Sequence, residues 1–241
     1  MSAIWLVASR ELTAYLKSFM GWGVLAGLLF IDGLLFQAYA MGSGEHLSSE
    51  VLRSFFYFSS GVTMVAGVLL SMRLLSSEQK DGTLVLLYTA PINEWHIVLG
   101  KWLSAFLFLC IAIALTAYQP AMIAVNGSVH PGHVMAGYVG LVLLAASVTA
   151  IGTFTSALTK HQLVAGMFAA IVVVVLLLTW WAAKVADAPF DGLLAYMAMY
   201  DKHFTPFSKG VIHTRSLVYF ATLTMSFLVA ARVVLGARRW R

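Results

Sequence analysis

Few side chains in this sequence have the type and setting that catalysis or ligand binding requires. Asp32 is the single acid in the middle of an apolar run, where a charge is costly unless protein, water or a partner faces it. It predicts either a functional contact, in a pathway or at a dimer interface, or a neutral carboxyl bonded to a neighbouring helix. The sequence alone leaves these two interpretations open.

The remaining polar patterns do not form a known catalytic or metal site. His130 and His133 are three residues apart, but Pro131 and Gly132 between them break the helix that would put both on one face. No phosphate-binding glycine loop followed by Lys-Ser or Lys-Thr occurs, nor a Gly-x-Ser-x-Gly or His-Glu-x-x-His motif. We therefore expect no enzyme activity, metal or cofactor in this chain. An intramembrane enzyme using Asp32 and a histidine is a remote alternative.

The composition predicts a membrane protein. Hydrophobic residues make up 61% of the 241 residues and charged residues 10%, against about 25% charged residues in soluble domains. The formal net charge of +5 does not by itself indicate nucleic acid as a partner. The single cysteine, Cys110, lies in an apolar run, so no disulfide framework exists.

Six apolar segments are each long enough to cross a bilayer, which takes about 20 residues. They comprise approximately residues 21–41, 58–76, 96–125, 135–158, 162–184 and 215–236. Pro120 predicts a kink in the third segment, because proline leaves a carbonyl one turn back without its donor. Residues 2–19 are amphipathic, which favours an interfacial elbow helix over an extension of the first span.

The placement of positive charge predicts the orientation. Ten of the 15 Lys and Arg residues lie on one side of the predicted spans, together with both termini and residues 77–95. Because positive charge is enriched in cytoplasmic loops, this side is predicted to be cytoplasmic. The outer loops are then residues 42–57 and 185–214, and the second is long enough for a short helix near 190–200.

Residues 77–95 form the one substantial cytoplasmic segment between predicted spans. After a turn at Gly82, a short apolar run extends over 84–88, and Pro91 ends it. The run is too short to cross a bilayer and too apolar to face water. It lies either in the headgroup layer or under another protein. We favour a protein, because free amphipathic surface helices are usually longer and richer in Lys and Arg.

This segment resembles the first cytoplasmic loop of ABC-2-type transporter permeases. The resemblance rests on Glu78, Gly82-Thr83, the Leu84–Leu87 run, Pro91 and Gly100-Lys101. The six spans, the elbow helix and the short basic tail match that family's layout over essentially the whole chain. Residues 204–213 and 216–219 are similar to the gliding-motility-associated and nitrous-oxide-reductase-maturation permeases. One departure is Val85, at a position where many relatives have an acid.

The resemblance implies an all-α integral membrane protein with a single ABC-2-type domain over residues 1–241, in the inner membrane of a bacterium. Such a permease pairs with a second copy or a related permease, and a separate ATP-binding subunit holds ATP and Mg. A coupling helix between spans two and three docks on that subunit. In this chain the matching positions are Glu78, Gly82, Thr83, Leu84, Leu87, Tyr88 and Pro91.

The substrate is not readable from the sequence, because no span carries a polar stripe matched to a particular solute. One alternative function stays open beside transport. The subunit would pass mechanical force from ATP hydrolysis to periplasmic partners, and the sizeable outer loops would hold those partners.

Overall fold

The structure, a computed structural model, describes residues 3–40, 48–83, 93–126, 129–185 and 190–239. Within these residues all regular structure is helical. The helices are α1 (Ala3–Lys17), α2 (Phe19–Leu35), α3 (Ser48–Ser71), α4 (Ser76–Asp81), α5 (Glu94–Leu115), α6 (Tyr118–Asn126), α7 (Pro131–Leu158), α8 (Gln162–Val185), α9 (Phe190–Met197), α10 (Thr205–Ser208) and α11 (Thr214–Arg239). Two π-helical stretches, Phe36–Ala40 and Met199–Phe204, follow α2 and α9.

Six helical stretches of the described chain are long and apolar enough to cross a membrane. They are Gly21–Ala38, Ser48–Asp81, Glu94–Val125, Pro131–Leu158, Gln162–Val185 and Thr214–Arg238. The predicted fold class, an all-α protein with six membrane-spanning helices, is therefore confirmed.

The second of these helices differs most from its predicted bounds. It begins at Ser48, so residues 48–57 are helical rather than part of an outer loop. Leu52, Phe55 and Phe56 are buried on one face of this extension, while Arg53 is exposed on another. The polar face gave the segment the composition of a loop, although its apolar residues follow a helical period.

The third span is interrupted close to the kink that the sequence predicts. Helix α5 ends at Leu115 and α6 begins at Tyr118. Pro120 has no amide hydrogen for the carbonyl of Thr116, and the amide of Gln119 donates to that oxygen instead at 3.0 Å. The proline thus accounts for the break between α5 and α6.

Helix α7 lies at the centre and packs against α3, α5, α8, α10 and α11. Glycines let its backbone approach these neighbours closely. A Cβ at Gly137 would lie 2.1 Å from the Phe56 ring, and one at Gly152 would lie 1.7 Å from Ser71 Oγ. Small residues allow such close helix packing in membranes, where apolar burial drives association little. The small residues of α7 therefore fix its position in the bundle.

Helix α1 is separated from α2 at Ser18, whose hydroxyl caps α2 by accepting from the Gly21 amide at 2.9 Å. Helix α1 packs along the start of α5. A Cβ at Gly100 would lie 2.7 Å from the Cβ of Val7, so only glycine allows this approach. The helix predicted at 2–19 thus exists as Ala3–Lys17 and is held against the third span.

Candidate functional site

Helix α4 is the last described element before the predicted coupling run. It follows α3 through a turn and ends at Gly82, which has a φ of 72°, a left-handed conformation that favours glycine. Thr83 follows in the same turn. The other predicted site residues, Leu84, Leu87, Tyr88 and Pro91, lie outside the described residues.

Glu78 of α4 belongs to a charge cluster formed by Arg10, Glu11, Glu78 and Lys101. Lys101 Nζ donates to Glu78 Oε1 at 2.5 Å and to Glu11 Oε1 at 3.0 Å. Arg10 Nη2 lies 3.1 Å from Glu11 Oε1 and 3.8 Å from Glu78 Oε1. The cluster therefore joins α4 to both α1 and α5.

Three of the four charges of this cluster, all except Arg10, depend strongly on one another because their side chains are largely removed from water. The Lys101 side chain is 3% exposed, and those of Glu78 and Glu11 are 13% and 21% exposed. Burial acts to raise the pKa of Glu11, but the charges of Lys101 and Arg10 outweigh it and hold that pKa below its ordinary value. A buried ammonium without these carboxylates would be strongly unfavourable.

Gln79, the next residue of α4, forms hydrogen bonds with a different pair of helices, α7 and α11. Its Nε2 donates to the carbonyls of Ser156 and Ala157 at 3.3 and 3.1 Å, and its Oε1 accepts from Arg238 Nη1 at 2.5 Å. Ser156 Oγ also accepts from the Leu75 amide at 2.7 Å. These bonds attach the start of α4 to the end of α7 and to α11.

We call Glu78, Gln79 and these partners the α4 junction. Two consecutive residues of one short helix contact α1 and α5 on one side and α7 and α11 on the other. A displacement of α4 must therefore be shared by these helices or break buried polar contacts. Helix α4 is thus coupled to four other helices through polar side chains.

Asp32 lies in α2 and is 3% exposed. Ser59 of α3 donates to its Oδ1 at 2.7 Å, while Oδ2 has no hydrogen-bond partner among the described residues. A cavity of about 20 Å³ beside it, also lined by Thr63 and Thr116, has room for a single water molecule. The hydrogen bond from Ser59 of α3 is the contact with a neighbouring helix that the second interpretation, a neutral packed carboxyl, expects.

The two histidines of the 130–133 segment have separate partners. His130 Nδ1 accepts from the Gly132 amide at 3.2 Å, and His133 Nε2 lies 2.8 Å from the Ser208 carbonyl oxygen. Among the described residues no group of three or more His, Cys, Asp or Glu side chains is placed to hold a metal ion. Both rings take part in local structure.

The contacts of Glu11, Gln79, Lys101 and Arg238 were not predicted from the sequence. Two of them carried a signal, since a lysine stands at the start of an apolar span and an acid stands in an amphipathic helix. Nothing in the sequence indicated that these residues meet, because Lys101 and Glu11 are 90 positions apart. Gln79 carried no signal, because glutamine is ordinary in a polar loop.

Comparison with known proteins agrees with this architecture. The profile of the family described as ABC-2 family transporter protein matches residues 5–197, from α1 through α9, and this range includes the whole charge cluster. No curated protein matches the chain significantly. Because the family match covers most of the 241 residues, the chain belongs to the ABC-2 family of transporter membrane proteins.

Proposed function

We propose that this chain is the membrane permease subunit of an ABC transporter. Two copies, or one copy and a related permease, span the inner membrane of a bacterium with their termini in the cytoplasm. A separate subunit binds ATP and Mg and hydrolyses ATP, and its motion drives an unidentified substrate across or out of the membrane. Similarity at residues 204–213 favours the gliding-motility-associated and nitrous-oxide-reductase-maturation subgroup.

The α4 junction is the observation that carries this proposal. Helix α4 directly precedes the apolar run 84–88, and Glu78 and Gln79 connect it to α1, α5, α7 and α11. A partner that moved the run would pull on α4, and the buried contacts would pass that motion to spans three, four and six. A permease driven from the cytoplasm needs such a route.

The distribution of charge supports the proposed orientation. Most Lys and Arg residues, including Lys80 and Arg238, lie at the α4 end of the bundle, as expected for a cytoplasmic face. At the opposite end, residues 204–208 fold against α7, where Phe204 and Phe207 are fully buried. The residues of the subgroup similarity thus include part of the bundle's core.

The substitution Leu87→Asp tests the docking of an ATP-binding subunit. If Leu87 is buried in the contact, the variant places an unpaired carboxylate in an apolar site, at a cost of about 2–7 kcal/mol. We expect it to insert into membranes normally while losing the ATPase subunit in pull-down and losing ATP-driven activity.

Leu193→Asp is the matched control, because Leu193 is an exposed leucine of α9 at the opposite end of the bundle. This variant should keep the ATPase subunit. Tight ATPase binding and normal turnover in Leu87→Asp would move the docking surface elsewhere. ATP hydrolysis by the purified chain alone would refute the assignment.

A further inference from the structure

Two cavities lie side by side at the end of α3 that is opposite α4. The first has a volume of about 710 Å³ and lies between α2, α3 and α8. The second, about 620 Å³, lies between the start of α3 and residues 199–208. Tyr57, Phe58, Tyr200 and Asp201 line both, so the two cavities are adjacent, and we call them together the amphipathic groove.

The first compartment of the groove is apolar. Its walls include Leu28 and Ile31 of α2, Val62 and Val65 of α3, and Leu177 of α8. Ile31 is 49% exposed and Val65 60% exposed, so the compartment opens sideways from the bundle rather than into it. All these residues belong to candidate membrane spans, so a molecule in this compartment would enter from the hydrocarbon layer.

The second compartment is polar and carries both signs of charge. Glu50, Arg53 and Ser54 line it from α3, and Asp201 and Thr205 line it from the other wall. Tyr57 and Tyr200 mark the boundary between the compartments, with their rings 5.7 Å apart in an edge-to-face arrangement. Tyrosine is common where apolar and polar surroundings meet, because its ring is apolar and its hydroxyl is polar.

We infer that the amphipathic groove binds a lipid with a zwitterionic head, with a hydrocarbon chain between α2, α3 and α8. Arg53 contacts the phosphate of the head and Asp201 contacts its ammonium group. A soluble solute would leave the apolar compartment uncovered, and an uncharged lipid would offer no charged group to Arg53 or Asp201. This assignment names a substrate class and, in that respect, rests on the proposed transport function.

The volume of the groove is consistent with such a ligand. Binding sites for small molecules typically have about 300–1,000 Å³, and each compartment falls in that range. Apolar contacts would hold the hydrocarbon chain of the lipid, and polar and charged contacts would hold its head.

Gly61 allows a direct test, because it is exposed, lines the apolar compartment, and a Cβ added there would have no neighbouring atom within 4 Å. Gly61→Trp should therefore fill the groove without disturbing the packing of α3. Gly23→Trp is the matched control, since Gly23 is exposed on α2, has the same free space and does not line the groove. Arg53→Gln tests the polar compartment.

The measurement is native mass spectrometry of the full-length chain, purified in detergent, delipidated and titrated with phosphatidylethanolamine or with diacylglycerol of the same chains. We expect phosphatidylethanolamine to bind about ten-fold more tightly, and Gly61→Trp to weaken it by about ten-fold, while Gly23→Trp leaves it unchanged. Arg53→Gln should abolish the preference for phosphatidylethanolamine over diacylglycerol.

Equal retention of both lipids, or unchanged binding in Gly61→Trp, would overturn the inference. So would a disulfide between two copies carrying Val65→Cys in a Cys110→Ser background, because a second copy would then cover the groove. The titration contains no ATPase, so its outcome is independent of Leu87→Asp. Lipid binding by a chain that binds no ATPase would support the site and overturn only its role in transport.

Discussion

Replacing Lys101 by methionine removes the only deeply buried cation of the charge cluster while keeping a long unbranched side chain. Its Nζ contacts Glu78 at 2.5 Å and Glu11 at 3.0 Å. After the change, Arg10 is the one cation of the described residues within ion-pair distance of Glu78, and it is 3.8 Å away and 66% exposed. An exposed partner of this kind contributes about 0–1 kcal/mol, so Arg10 cannot replace Lys101.

The expected loss in free energy of unfolding is about 3–5 kcal/mol, the usual cost of breaking a buried ion pair from one side. It is measured by equilibrium unfolding in mixed micelles of increasing denaturing detergent. Lys80→Met is the control, since Lys80 is an exposed lysine of the same helix α4 and lies outside the charge cluster. That variant should stay within about 0.5 kcal/mol of the parent, as surface substitutions usually do.

A triple variant distinguishes the loss of the ion pairs from the cost of leaving buried carboxylates without a cation. Glu11→Gln and Glu78→Gln combined with Lys101→Met leave no buried charge unpaired, so the triple should recover most of the stability lost by Lys101→Met. If Lys101→Met alone unfolds like the parent, or the triple is no more stable than the single variant, the charges are not buried together as described.

Three further outcomes follow from the structure. The pKa of Glu11 is held below its ordinary value, so ionised Glu11 stabilises the fold fully at any pH above the ordinary pKa. This stabilisation is lost as the pH falls through the lowered pKa. The free energy of unfolding, measured against pH, should show this loss at acid pH in the parent and not in Glu11→Gln. Gly152→Ala should destabilise the bundle by about 1–3 kcal/mol, because the new Cβ would lie 2.6 Å from Ser71 Cβ, whereas Gly23→Ala, with free space around it, should be tolerated in the same unfolding assay. Asp32→Asn should keep abundance and activity because the amide oxygen still accepts from Ser59, while Asp32→Ala should lower abundance; loss of activity at normal abundance in Asp32→Asn would instead give the carboxylate a role in the pathway.

The six membrane spans could be predicted from the sequence because each span is recognised by its own length and apolar composition. An apolar run of adequate length predicts a membrane helix whatever its neighbours are, and Pro120 predicts a bend from local geometry alone. The start of α3 was missed for the same reason. Its exposed face carries Glu50 and Arg53, so its average composition is that of a loop, and only the packing of Phe56 on α7 shows its helical role.

The candidate site was predictable only in part, because its contacts join distant positions. Family resemblance pointed to Glu78 and Gly82, and the structure adds the reason that Glu78 is buried beside Lys101. The pairing of Gln79 with Arg238 spans 159 positions and left no trace in either local pattern. The docking of Leu87 remains a prediction, since the residues that would show it belong to the undescribed segment.

The central position of α7 has a consequence for how the protein is made. Synthesis completes α3 before α7 exists, and the face of α3 that α7 later covers includes Phe56, Gly67 and Ser71. Until Pro131 and the residues after it emerge from the ribosome, that face must be shielded by the insertion machinery or by lipid. A nonsense mutation upstream of Pro131 should therefore yield a fragment that membrane proteases remove, and not a stable half-protein able to assemble with a separately expressed second half.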